Sequence, residues 1–174
     1  NGNDFPEWEE KELGELCNIT TGKLDANAMV QNGEYRFYTC AKEYYFIDNY
    51  AFDTEALLIS GNGANVGYIH YYKGKFNAYQ RTYVLDGFNH DMIYIKYYLD
   101  KNLKNRILSE KKEGNTPYIV LSTLSEMKMN IPSLPEQQKI ADFLSALDKK
   151  IDIVYKELGQ VQEFKKGLLQ QMFM

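Results

Sequence analysis

The spacing of hydrophobic positions along the chain changes twice. From Leu16 to Leu85, short runs rich in aromatic and β-branched residues, "CNITTGK", "EYRFYTCAKEYYFID", "ALLISGNGANVGYIHYY" and "FNAYQRTYVL", are split by polar turns, the pattern of antiparallel strands and hairpins. Between Asn89 and Glu113 the residues Ile95, Leu99, Leu103 and Ile107 recur every four positions and Gly114 follows, which predicts an amphipathic helix and its stop. "NTPYIVLSTLSEMKMNIPSLP" reads as a loop, a short helical turn capped by Ser122, and a brief extended run. Beyond it, Pro135 has the place of a first-turn proline, Glu136 and Asp142 follow near the positive end of the helix, and no further proline occurs.

In that last segment Ile140, Leu144, Leu147, Ile151, Val154, Leu158 and Val161 are separated by four and three residues in turn, an uninterrupted heptad seam. It continues through the polar Lys165 to Leu168 and Met172. At 1.5 Å per residue such a helix is roughly 60 Å long, too long to lie on the domain before it. It is expected to project and to find a partner helix; the alternative is that it folds back on its own sheet. The expected fold class is α+β, with a mixed or antiparallel β-rich domain over residues 1–132 and a long coiled-coil-type helix over residues 133–174.

Within residues 56–72, Gly61, Gly63 and Gly67 have the spacing of a dinucleotide-binding turn after an apolar strand. That fingerprint requires a helix to start inside the glycines, because the pyrophosphate sits on the helix N-terminus. Tyr68, Ile69, His70, Tyr71 and Tyr72 favour a strand instead, so the stretch reads as a hairpin.

The net charge of −4 argues against nucleic acid until it is divided. Residues 1–16 hold six acids and one Lys, residues 17–132 hold thirteen bases and twelve acids, and residues 133–174 hold six of each. The acidity is therefore N-terminal. Residues 96–112 carry Lys96, Lys101, Lys104, Arg106, Lys111 and Lys112 against Asp100 and Glu110, either a basic patch or the solvated face of a helix. The 15 Tyr and 9 Phe exceed what one core needs, so some are expected on the surface. Cys17 and Cys40 lie in no zinc spacing and read as reduced thiols of a cytoplasmic protein. His70 and His90 have no nearby Cys or carboxylate triad, so no metal is expected. No apolar run approaches the ~18 residues of a membrane span, and no signal peptide opens the chain.

Five segments, in order, carry a resemblance. They are "WEEKELGELCNITTGK", "GNGANVGYIHYYKGKFNAYQRTYVL", "EGNTPYIVLSTLSEMKMNIP", "IPSLPEQQKIADFLSALDKKID" and "KKGLLQQMF", and together they resemble the DNA-specificity subunit of type I restriction-modification systems. The resemblance implies a target recognition domain followed by one conserved helical region. It implies no catalysis by this chain. Double-stranded DNA, an adenine-specific methyltransferase subunit that binds the methyl donor, and an ATP-hydrolysing restriction and translocase subunit are the implied partners. A complete subunit of that kind holds two such halves. The opening "NGNDFPEWEEKELGE" resembles the junction leading into the second recognition domain, so the chain is expected to be the C-terminal half, with a natural half-length subunit as the alternative. Its long helix is then expected to pair with the other half or with a second copy of itself. In keeping with the resemblance, the sequence has neither an Asn-Pro-Pro-aromatic motif nor a phosphate-binding GxxxxGK[ST] loop, and no cofactor is expected.

Reading bases requires donors and acceptors that reach base edges, with phosphate contacts to fix the register. Thr20, Thr21, Gly22 and Lys23 lie on the first turn, Thr39 and Lys42 near the second, and Asn62 and Asn65 on the glycine-rich tip beside Ala64. A plain Gly and Asn turn explains that tip equally well. In "AYQRTY", Gln80 can read adenine, and Arg81 can read guanine or clamp a phosphate; a structural ion pair is the alternative for Arg81. Strand alternation would put Gln80 and Arg81 on opposite faces. Asn115, Thr116 and Tyr118 complete the set. Asp148 and Asp152, beside Lys149 and Lys156, read as solvent ion pairs. The rival readings are a coiled-coil interaction module without DNA binding and a nucleotide-binding enzyme built on residues 56–72.

Overall fold

The apolar run at residues 56–60 lies at the centre of the architecture, in a computed structural model that describes residues 7–110 and 117–173. It belongs to β5 (Phe52–Ser60), the third strand of a six-stranded sheet that also holds β2 (Asn18–Thr21), β3 (Tyr35–Tyr38), β4 (Tyr45–Ile47), β6 (Ile69–Ala78) and β7 (Thr82–Asp86), in the order β2-β7-β5-β6-β3-β4. Ala56, Leu57, Leu58 and Ile59 are all fully buried, so this strand is covered on both faces. Neighbours pair antiparallel except β3 and β6, which run parallel. The sheet is thus mixed, where local pattern alone suggests hairpins throughout. "FNAYQRTYVL" is likewise two elements, the end of β6 and β7, split by a turn at residues 79–81.

The short link from β6 to β7 requires the sheet to curl. Phe76 pairs with Phe52 at one end of β5, and Thr82 pairs with Ser60 at the other, on the opposite side of the strand. In a flat sheet those points would be about 28 Å apart, given ~3.3 Å per residue along β5 and ~4.8 Å per strand across it. The six residue-to-residue steps from Phe76 to Thr82 reach only about 21 Å. Tyr38, Ala56, Leu58, Phe76, Ala78 and Val84 pack together inside the curl, with Phe52 and Tyr72 against them.

The other face carries the larger core. Leu57, Ile59 and Leu85 from the sheet meet Tyr94, Ile95, Leu99, Leu103 and Ile107 of α2 (Met92–Glu110), the apolar stripe expected from its four-residue spacing. Leu13 and Leu16 of α1 (Leu13–Leu16) and Leu124 of α3 (Leu121–Ser125) close it. The cap of α3 is Val120 rather than Ser122: the Val120 N–H donates to Thr123 Oγ1 at 3.2 Å. A separate two-stranded ribbon pairs β1 (Glu9–Glu12) with β8 (Lys128–Ile131) and leads into the last element.

That element is α4 (Leu134–Met172), 39 residues with Pro135 in its first turn. Its first turns dock on α2 through a stripe distinct from the heptad seam. Gln137 and Ala141 are buried, and Ser145 and Asp148 both meet the Tyr97 hydroxyl, at 3.3 and 2.6 Å. At about 100° per residue these four positions lie roughly a quarter turn around the helix from the seam. Asp148 is therefore a partner of Tyr97 rather than a solvent ion pair. Of the seam, Ile140 and Leu144 are half-buried, with Ile140 packed against the core. From Leu147 onward, at 39 % exposed, through Ile151, Val154 at 61 %, Leu158, Val161 and Leu168, the apolar side chains stand in solvent. The helix does not fold back on its own sheet.

Candidate nucleic-acid interface

The turns singled out in the sequence are tied together by backbone hydrogen bonds. The carbonyl of Arg81 accepts from the Gly61 N–H at 2.8 Å and from Cys40 Sγ at 3.4 Å. The Gly22 N–H donates to the Thr82 carbonyl and the Gln80 N–H to the Leu24 carbonyl. The Ile119 N–H donates to the Gly61 carbonyl at 2.8 Å, and Tyr83 Oη to the Ile119 carbonyl at 3.0 Å. Residues 20–25, 39–42, 61–67, 79–81 and 117–119 thus form one continuous surface, built on five separate connections. Gly22 makes this closeness feasible, since a Cβ there would stand 1.9 Å from the Ala78 carbonyl oxygen.

Within the surface, some side chains build and others display. Thr39 is buried and its Oγ1 accepts from the Ala41 N–H, and Asn65 Nδ2 donates to the Cys40 carbonyl at 3.0 Å. These two hold loops in shape. The tip at residues 61–67 is a turn with Gly63 and Gly67 at positive φ, followed directly by β6, so no helix N-terminus is available for a pyrophosphate. Thr20, Thr21, Lys23, Lys42, Gln80, Arg81 and Tyr118 are exposed, and Asn62 is half-exposed. Gln80 and Arg81 do not alternate across a strand. Both occupy the turn before β7 and both face solvent, with Gln80 Nε2 held by Asp25 Oδ1 at 2.7 Å. Arg81, Lys23 and Lys42 make no ion pair among the described residues. Asn115 and Thr116 lie outside the described residues.

Sequence reasoning missed the aromatic wall beside the turns. The Arg36 guanidinium lies between the rings of Tyr44 and Tyr72, 4.2 and 4.5 Å from their centroids, and donates to Tyr38 Oη, a bond that raises its pKa further. His70 packs edge-on against Tyr38 and Tyr68, and burial lowers its pKa, so the neutral ring donates from Nε2 to the Ala41 carbonyl at 3.0 Å. The usable signal was the aromatic density of "EYRFYTCAKEYYF" around one Arg. The basic stretch of α2 is weaker than its sequence suggests, because Lys96 pairs with Asp100 at 2.7 Å and Arg106 with Glu110 at 2.8 Å. Lys111 and Lys112 lie outside the described residues. Among the described residues, no group of three or more His, Cys, Asp and Glu is placed to hold a metal ion, and no helix is long and apolar enough to cross a membrane.

Comparison with known proteins places this arrangement. Residues 6–163 match the type I restriction modification DNA specificity domain. The chain is 39 % identical to the EcoDI type I restriction enzyme specificity subunit of Escherichia coli, over 94 % of this chain and 36 % of that protein. It is 25 % identical to the MjaVIII specificity subunit of Methanocaldococcus jannaschii, over 96 % of this chain and 42 % of the relative. It spans well under half the length of each. The fold resembles the crystal structure of a type I restriction-modification S subunit from M. genitalium, with a TM-score of 0.70 at 19 % identity, over 87 % of this chain and 41 % of that one.

Proposed function

The chain belongs to the type I restriction modification DNA specificity family, and from that premise we propose that it reads one half of a bipartite double-stranded DNA target without catalysing a reaction. Residues 1–132 serve as the target recognition domain and residues 133–174 as spacer and assembly helix. The surface on which the five connections meet is the reading surface: Gln80 and Asn62 present amides suited to adenine, Arg81 suits guanine or phosphate, and Lys23 and Lys42 meet phosphates. The observation that carries this reading is the joining of those turns by hydrogen bonds at Gly61 and at residues 80–82, which holds several polar side chains in fixed relation.

The long helix serves assembly. Its uncovered seam takes the corresponding helix of the other half or of a second copy, which sets two recognition domains at opposite ends. The methyltransferase subunit, which supplies the adenine chemistry and its methyl donor, docks on this framework, and the restriction and translocase subunit joins in turn. Because the chain is acidic overall, its own affinity for duplex is weak in moderate salt and tightens when the methyltransferase adds phosphate contacts.

Selection from a degenerate duplex library by the chain assembled with the methyltransferase subunit tests the reading. A short run of fixed bases is expected in the retained pool. A pool with no enriched bases contradicts it and leaves the helix as a pairing module alone.

A further inference from the structure

Beside the apolar packing of Ile140 and Ala141, polar contacts hold the first turns of α4 against α2 and the residue before it. Gln137 is fully buried. Its Oε1 accepts from the Asp91 N–H at 3.0 Å, just before α2, and its Nε2 donates to the Pro132 carbonyl at 2.8 Å, just before α4. Asp91 in turn caps α2, accepting from the Tyr94 N–H at 2.8 Å. Three turns further along α4, the Tyr97 hydroxyl donates to Asp148 Oδ2 at 2.6 Å and lies 3.3 Å from Ser145 Oγ. The two anchor points on α4 are about 16 Å apart along its axis. Past Asp148 every described residue of the helix except Gly159 and Gly167 is exposed, so among the described residues its course beyond that point is set by how its first turns are held.

One bonded anchor fixes a point on the helix; two, on either side of the packed Ile140 and Ala141, fix a direction. Apolar contacts tolerate sliding, whereas a buried amide with both ends bonded and a short hydroxyl-to-carboxylate bond each accept one geometry. The lever is long. From Asp148 to Met172 the helix runs about 36 Å, so a 10° change at the clamp displaces its far end by about 6 Å. Duplex DNA advances about 3.4 Å per base pair, and that displacement corresponds to about two base pairs.

We propose that Gln137 and the Tyr97–Asp148 pair are positioning residues that set the angle at which α4 leaves the recognition domain, and through it the length of the unread spacer between two half-sites. The inference rests on the DNA-reading role proposed above. The clamp residues touch no base in this account, so base choice and spacer choice are separable properties of one chain.

The test uses the chain assembled with its methyltransferase subunit and a duplex library in which both half-sites and the spacer length vary. The parent is expected to enrich one spacer length. Tyr97→Phe, which keeps the ring and removes the hydroxyl, and Asp148→Asn are expected to enrich the same bases over two or more spacer lengths. Gln137→Leu is expected to act in the same direction, and the Tyr97→Phe result decides if that variant fails to fold. A Tyr97→Phe complex that holds the parent's single spacer length overturns the proposal, even if its melting temperature falls. A parent complex that enriches no bases overturns the reading beneath it, and a parent that enriches bases without any preferred spacer overturns the clamp alone.

Discussion

The Gly61 N–H donates to the Arg81 carbonyl at 2.8 Å, and a Cβ on Gly61 would stand 2.4 Å from that same oxygen. The bond that joins the glycine tip to the β6–β7 turn therefore requires the absence of a side chain. Gly61→Ala is expected to cost on the order of 1 to 3 kcal/mol in denaturant unfolding and to alter base selection together with stability. An alanine variant with parental stability and selectivity would show that the tip and the turn are not coupled.

Gln80 and Arg81 share the turn but differ in restraint, since only Gln80 is held by Asp25. If either reads a base, its replacement by Ala costs about 1 to 3 kcal/mol at the preferred site and relaxes selectivity at one position. Asp25→Ala is expected to weaken the Gln80 position alone. Equal loss on all sequences would make the residue a phosphate contact, and quantitative binding to single-base variants of the selected site separates the cases.

The seam from Leu147 to Val161 leaves in water side chains each worth roughly 1.5 to 3 kcal/mol on full burial. Replacing Leu147, Ile151 and Val154 by Asp is expected to convert a helix-paired dimer into a monomer while the recognition domain keeps its near-ultraviolet circular dichroism. Sedimentation of the unmodified chain as a monomer at tens of micromolar contradicts pairing between two copies and leaves the helix of the other half as the seam's partner.

Stability is expected to fall at high pH for a local reason. Burial, with the Asp86 charge beside it, pushes the Cys17 thiol up to about 12, and burial pushes the Tyr94 phenol to about 12. Both groups hold their protons more tightly in the folded state, so the unfolded chain releases them first and stability declines as pH rises. The decline begins near pH 9 for Cys17 and near pH 10 for Tyr94 and ends by about pH 12, at up to about 1.4 kcal/mol per unit for each group. Cys17→Ala is expected to remove the decline between pH 9 and 10 and to lessen it from pH 10 to 12, as read by urea midpoints across that range.

The elements that local pattern determines were legible in the sequence. Ile95, Leu99, Leu103 and Ile107 marked α2, Pro135 and the heptads marked α4, and the aromatic run after Gly67 distinguished a hairpin from a nucleotide turn. The parallel pairing of β3 with β6 was not legible, because partner choice between distant strands is set by the curl of the whole sheet. Nor was the docking stripe of α4: Asp148 reads as a solvent ion pair, and nothing in the spacing marks Gln137 or Ser145, until Tyr97 of α2 and Asp91 just before it meet them. The candidate turn residues were found by their chemistry. Their division into builders, such as Thr39 and Asn65, and displayed groups, such as Arg81 and Lys23, depends on backbone hydrogen bonds that no spacing encodes.

The most direct measurement of the central claim is methylation mapping of a genome exposed to the complete complex, once with the parent chain and once with Arg81→Ala. The account predicts a recurring split motif for the parent, and for the variant either a relaxed base within one half or uniformly weaker modification of the same motif. Methylation without a recurring motif, or a motif and modification level that Arg81→Ala leaves untouched along with changes at Lys23, Asn62 and Gln80, would contradict it.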